Sequence, residues 1–148
     1  MGSEIQVPAG RVLVVDDDKM ARLFLHDLLT ASGYFVAEAA DGEVALAVVR
    51  QAAPDVILLD IMMPKMDGIE VCRRLKMDDE LAGIPLIFLT ALNDKETIVK
   101  AFDAGAVDFV AKPLYGREVV SRVGAHAELY RNRLKIQEYA WRLKERLD

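Results

Sequence analysis

A single cysteine, Cys72, leaves the chain without an internal disulfide and with too few thiolates for a cysteine-based zinc site. No apolar run approaches the ~20 residues that a helix needs to cross a bilayer, so no membrane partner is expected. The opening stretch, Met1 to Gly10, is short and polar and lacks the apolar centre of a signal peptide. Its Met-Gly-Ser beginning resembles a cloning remnant, and residues 1–10 read as an N-terminal extension. Together these absences point to a reducing cytoplasm. Positive charge is outnumbered, 19 Lys/Arg against 24 Asp/Glu, and unevenly spread. From Arg117 onward there are eight Lys/Arg against five Asp/Glu, a net of +3, so the total of −5 puts −8 on residues 1–116. So acidic a body argues against a nucleic-acid surface. In the basic tail, acids are interleaved with the cations and no aromatic stacking pattern accompanies them, which describes a solvated helix face; direct contact with nucleic acid is not expected.

The remaining composition, 53% hydrophobic and 29% charged over 148 residues, suits one globular domain with a real core plus an extra segment, and hardly two domains. Neither an internal repeat nor a low-complexity segment is visible. The pattern alternates strand and helix. "VLVV" (Val12 to Val15) gives a first strand, and the helical spacing in "KMARLFLHDLLTASG" follows it, stopped by Gly33. "YFVAEAA" is a second strand, after which Asp41 caps a helix through "EVALAVVRQ". "DVILLD", "IPLIFLTA" and "DFVAKP" are the third, fourth and fifth strands, with helices "IEVCRRLK" and "KETIVKAFDAGA" between them and a last helix from near Arg117. Such alternation predicts an α/β fold, a doubly wound five-stranded parallel sheet with right-handed crossovers.

The stretch "ILLDIMMPKMDG" drives an unbroken apolar strand into one acid, Asp60, and then turns. Alone, Asp60 could simply cap that turn. It has company, however. Strand one ends in Asp16 and Asp17, strand four in Thr90 and strand five in Lys112, and a parallel sheet brings the carboxyl ends of all its strands to one rim. Three carboxylates crowded there repel one another, which a divalent cation relieves. Mg2+ suits the set: it takes oxygen ligands, needs only one or two carboxylates, and keeps waters that a phosphate oxygen can replace. Asp16, Asp17 and a backbone carbonyl just past Asp60 would hold it, Lys112 and the Thr90 hydroxyl would meet two further phosphoryl oxygens, and Asp60 would be the nucleophile.

In order and separation, "VLVVDDD", "DIMMPKMDG", "LTA" and "KP" resemble the receiver domains of two-component response regulators, the CheY-like (βα)5, flavodoxin-like family. Thirty residues separate Asp60 from Thr90 and 22 separate Thr90 from Lys112, and the likeness covers Arg11 to Ala127, giving a receiver domain over 11–127. The resemblance implies that Asp60 accepts a phosphoryl group from a histidine kinase or histidine phosphotransfer protein. It further implies that Asp16, Asp17, Asp60 and the backbone carbonyl of Met62 bind Mg2+, that Thr90 and Lys112 read the phosphoryl group, and that Lys112–Pro113 is a cis peptide. Output in the family uses an aromatic residue three positions before the lysine, here Phe109, which turns inward when Thr90 moves. Phe109 lacks the hydroxyl of the tyrosine often found there, and ordinary packing accounts for it equally well. Small Ala91 leaves room for the donor, whereas bulky Met62 and Leu92 would obstruct the hydrolytic water and prolong the phosphoryl state.

Other reactive side chains read blandly. His26, beside Asp27, looks like an exposed helical residue, Cys72 like packing, and His126 has no acid cluster for a metal. Past Ala127 the chain continues without proline or glycine as "ELYRNRLKIQEYAWRLKERLD", so the last helix should run straight on, as a linker or dimerisation helix over 128–148. Ile136, Ala140, Leu143 and Leu147 follow the 4, 3, 4 spacing of a coiled-coil seam, though Arg133 interrupts it. A homodimer through helices four and five or through this C-terminal helix is therefore expected, as is a downstream protein or effector domain. Two other classes share parts of the pattern. A pseudo-receiver would bind partners without ever being phosphorylated. A phosphatase resembling the haloacid dehalogenases would need a second acid two positions after the nucleophile, where this chain has Met62. The domain is accordingly expected to be no conventional enzyme.

Overall fold

A computed structural model describes residues 10–91 and 94–147. Five strands, β1 (Gly10–Val15), β2 (Tyr34–Ala39), β3 (Val56–Asp60), β4 (Leu86–Thr90) and β5 (Asp108–Ala111), form one sheet in the order β2-β1-β3-β4-β5, every neighbouring pair parallel. Five helices alternate with them: α1 (Lys19–Ala31), α2 (Gly42–Ala52), α3 (Gly68–Lys76), α4 (Lys95–Asp103) and α5 (Gly116–Leu147). This is the doubly wound, flavodoxin-like order, whose ligands bind where the winding reverses, at the carboxyl ends of β1 and β3. The five strands and five helices fall where the hydrophobic patterns place them. β1 starts at Gly10, which pairs with Tyr34, so the last residue of the expected N-terminal extension already belongs to the sheet; the rest of that extension lies outside the described residues.

Strand alternation divides the core in two, because successive side chains point to opposite faces. Val12 and Val14 of β1, with Leu58, Ile87, Leu89 and Val110, pack under Leu25 and Leu29 of α1 and Val119, Val123 and Ala127 of α5. Leu13 and Val15, with Ile57, Leu59, Leu86 and Phe88, pack under α2, α3 and α4 through Ala45, Val49, Val71, Cys72, Leu75 and Ala101. Both faces of β3 and β4 are thus covered, which is why these strands tolerate unbroken apolar runs. Helix starts are set by side-chain caps: Asp18, Asp41, Asp67 and Asp94 accept from Met20, Val44, Glu70 and Glu96 N–H groups. Gly33 stops α1 at a positive φ of 97°, a conformation open to glycine at little cost.

Helix α5 is one uninterrupted element of 32 residues, continuing through the stretch past Ala127 as the lack of proline and glycine there predicts. Its sheet-facing stripe of Val119, Val123 and Ala127 continues through Tyr130 and Leu134, which line a cleft at the amino edge of the sheet with Pro54, Asp55 and Ile84. From Asn132 to Leu147 every residue is exposed. Among the described residues, no helix is long and apolar enough to cross a membrane.

Candidate functional site

The carboxyl edge of the sheet gathers the acids. β1 ends at Val15 and β3 at Asp60, and these two central strands are direct neighbours, paired through Val15 and Leu59. Asp16 and Asp17 therefore follow β1 alongside Asp60, and carboxylate oxygens of all three lie within 4.8 Å of one another. Asp16 and Asp60 are buried and Asp17 is exposed, so the cluster opens to solvent on one side. Across the sheet, β5 carries Lys112 to the same rim: its Nζ is 3.4 Å from Asp16 Oδ2 and 3.5 Å from Asp60 Oδ1. The Lys112 N–H donates to the Thr90 carbonyl at 2.7 Å, tying the ends of β4 and β5 together. Thr90 itself is buried one residue past Leu89, the register partner of Asp60. Lys112–Pro113 is cis, as the resemblance implied.

Burial pushes the Asp60 carboxyl up to about 6, and the neighbouring Asp16 charge pushes in the same direction, as Asp17 does more weakly; Lys112 and the Met62 N–H oppose them. That N–H reaches Asp60 Oδ1 at 3.3 Å. A carboxylate held against its own charge in this way favours a cation beside it. The donor set, three carboxylates with hard oxygens and one open side, suits Mg2+ and does not suit a soft thiophilic metal. The fit to a hard divalent ion is therefore good.

Three supporting features escaped the sequence reading. First, Gly68 opens α3 directly against the end of β3: its N–H donates to the Ile61 carbonyl at 2.9 Å, and a Cβ there would overlap the Asp60 carbonyl oxygen and lie 3.0 Å from Ile61 Cα. The "DG" in the sequence signalled a turn, but glycine is needed here for close approach. Second, the Arg22 Nη1 donates to the main-chain carbonyl of Asp16 at 2.7 Å. Third, Asp108, just before Phe109, accepts two hydrogen bonds from Arg122 at 2.8 and 2.7 Å and sits 3.2 Å from His126 Nε2.

The remaining expected residues fall where their elements put them. Phe109 is half-buried on β5 and meets Phe102 edge to face, ring centroids 6.1 Å apart, at a distance from the acids set by the strand. Met62 is 62% exposed, next to the Asp60 carboxyl it hydrogen-bonds. Leu92, expected to shield the phosphoryl group, lies outside the described residues. Cys72 is fully buried in the core under α3. His26 is only half-exposed, with Nδ1 3.3 Å from a Glu38 carboxylate oxygen, because the α1 face that carries it leans on β2.

Against known proteins, the family model described as "Response regulator receiver domain" matches residues 12–124. The chain is 43% identical over 122 residues to the DNA-binding response regulator MtrA of Mycolicibacterium smegmatis, covering 82% of this chain and 51% of that protein. Among solved structures, a putative response regulator from Chloroflexus aurantiacus matches with a TM-score of 0.78 at 34% identity, over 82% of this chain and 99% of that one. The chemotaxis protein CheY4 of Vibrio cholerae matches with a TM-score of 0.72 at 33% identity, over 76% of this chain and 97% of that one. The chain spans about half the length of the curated relatives it matches.

Proposed function

This chain belongs to the response regulator receiver domain family, and from that membership we propose that its Asp60 is a phosphoacceptor serving a histidine kinase or histidine phosphotransfer protein. Members of the family are signalling modules of two-component systems and not classical enzymes. The observation that carries the reading is the meeting of Asp16, Asp17 and Asp60 within 4.8 Å, with Lys112 Nζ bridging two of them.

In the proposed step a carboxylate oxygen of Asp60 attacks the phosphorus of a phosphohistidine. The P–N bond breaks, and its electron pair stays on the departing imidazole nitrogen. Asp16, Asp17, Asp60 and the Met62 carbonyl would hold Mg2+, which would supply charge neutralisation for the phosphoryl oxygens. Lys112 leaves its contacts with Asp16 and Asp60 to pair with a second phosphoryl oxygen, and the Thr90 hydroxyl takes a third. With the cluster's like charges then balanced, Asp60 is held ionised and nucleophilic. Met62, where an acid would be needed to activate water, makes hydrolysis slow, so the acyl phosphate persists as a signal.

Thr90 and Phe109 carry the signal onward. Movement of Thr90 toward the phosphoryl group opens space on the β4–β5 side, and the Phe109 ring, now half-buried against Phe102, turns into it. The face that responds, formed by α4, β5 and α5, exposes Val99, Phe102 and Val107, and the seam of Ile136, Ala140, Leu143 and Leu147 extends it into the tail. A homodimer across this surface, and an effector domain or protein partner following the tail, are the outputs it supports. The acidic body, −8 over residues 1–116, supports a domain that does not itself bind nucleic acid, and the lone cysteine, Cys72, suits a reducing, cytoplasmic setting.

Intact-protein mass after incubation with Mg2+ and acetyl phosphate tests the reading, beside Asp60→Asn and a Mg2+-free control. One phosphoryl adduct that needs both Asp60 and Mg2+ is expected. No adduct under any condition would leave a binding module that acts unphosphorylated, and phosphate release with turnover would indicate a phosphatase.

A further inference from the structure

Asp16 and Asp17 are consecutive, and in an extended chain consecutive side chains point to opposite faces. Both nevertheless bring a carboxylate oxygen within 4.8 Å of the other and of Asp60. The chain must therefore leave the strand path at this pair, and something must hold it there. β1 pairs with β3 only as far as Val15 and Leu59, so the carbonyl of Asp16, a fully buried residue, is past the end of that ladder. A buried carbonyl without a donor is costly. The Arg22 guanidinium provides the donor, 2.7 Å away, from one turn into α1.

Arg22 is itself held. Its Nε lies 3.6 Å from Glu38 Oε1 on β2, and the other Glu38 oxygen is 3.3 Å from His26 Nδ1 on α1. On the other side of the same residue, the Asp16 N–H donates to the Ala39 carbonyl at 3.2 Å, one position beyond Glu38. The Asp16 main chain is thus gripped at both its polar atoms, by β2 directly and by α1 through a guanidinium that β2 anchors. Only its carboxylate is left to the cluster, with Oδ1 taking the Asp18 N–H at 2.9 Å and Oδ2 facing Lys112.

We propose that Arg22 is a positioning residue for divalent-metal binding: its bond to the Asp16 carbonyl fixes the Asp16–Asp17 peptide so that both carboxylates face one ion, and Glu38 acts through Arg22 by fixing the guanidinium. The inference rests on the Mg2+ site proposed above.

Mg2+ titration calorimetry on the unphosphorylated full chain tests it, with far-UV circular dichroism and thermal unfolding of each variant alongside. Removing a partner that orients a metal ligand typically weakens binding on the order of 10–100-fold, and Arg22→Ala is expected to do so while the fold is kept. Arg22→Lys, able to donate to the carbonyl, should recover part of the loss. Glu38→Gln should weaken binding less than Arg22→Ala, and the double variant should bind no worse than Arg22→Ala alone, since Glu38 works through Arg22. An Arg22→Ala protein that is less heat-stable yet binds Mg2+ like the parent would overturn the inference and leave a merely structural contact. Should Arg22→Ala not fold, Glu38→Gln and Arg22→Lys decide in the same way: parental affinity in both overturns it. Failure of the parent protein itself to bind Mg2+ would remove the proposed metal site and this inference with it, whereas parental binding with unaltered variants removes only the inference.

Discussion

Helix α5 obeys different rules in its two halves. Against the sheet, Val119, Val123 and Ala127 are completely covered; past it, Ile136 is 69% exposed, Trp141 60% and Leu147 87%. The apolar periodicity is helical in both, so periodicity alone does not distinguish a helix that has found its partner from one that has not. The first half draws its stability from burial, at roughly 25 cal/mol per Å2 of apolar surface removed from water. Beyond Leu134 the helix is close to the length at which isolated helices become marginal in water. What supports it within one chain is local, such as the Glu138–Arg142 pair at 2.7 Å.

That contrast orders the effects of substitution. The largest belongs to the covered body. Phe88→Ala empties the centre of the larger core cluster, where Phe88 is fully buried, and should cost about 3–5 kcal/mol in urea unfolding. Gly68→Ala comes next, because the groups it would strike are main chain and cannot swing aside. About 1–3 kcal/mol of destabilisation is expected, together with a weaker acetyl-phosphate adduct by mass, since the displaced backbone carries Asp60.

A smaller, pH-dependent effect lies at Asp108, which joins β5 to the covered half of α5. Burial alone would raise this carboxyl, but the Arg122 hydrogen bonds, with those from Phe109 N–H and His126, hold it below the ordinary carboxylate range. The unfolded chain then takes up the proton more readily, so the stabilisation is complete above about pH 4 and is lost as the pH falls through the folded-state value. Asp108→Asn should lower stability by about 1 kcal/mol near neutrality, with the gap to the parent closing in thermal unfolding on acidification. A gap that persisted unchanged into acid would assign the effect to packing. The smallest effect is in the uncovered half: Trp141→Ala should change the unfolding free energy of the monomer by less than about 0.5 kcal/mol. A shift in sedimentation toward monomer in the same variant would show that a second copy covers this half, and a large loss of monomer stability would break the comparison.

The sequence made the sheet, its helices and the principal acids legible because these depend on patterns within ten or so neighbouring residues and on one rule of parallel sheets. Asp60 and Thr90 end their strands and Asp16, Asp17 and Lys112 directly follow theirs, and the topology alone brings them to one rim. Arg22, Glu38, Gly68 and the Asp108–Arg122–His126 group were not legible in the same way. Their roles arise where a helix folds back onto a strand or a strand end, and a guanidinium reaching a carbonyl six residues back leaves no periodic trace. His126 shows the limit plainly: no acid lies near it along its own helix in a metal-binding pattern, yet Asp108, 18 positions earlier, is 3.2 Å away.

The course of α5 also fixes where traffic can enter and leave the molecule. The helix is rooted at Gly116, just after the strand that delivers Lys112, runs back under the sheet, and emerges past Pro54 and Ile84 at the opposite edge. At 32 residues it is about 48 Å long, more than enough to traverse the domain from pole to pole. Under the proposed function, a donor bringing phosphate to the acid rim and a partner gripping the tail would occupy separate ends and have no need to take turns, with one continuous helix connecting the ground on which each would stand.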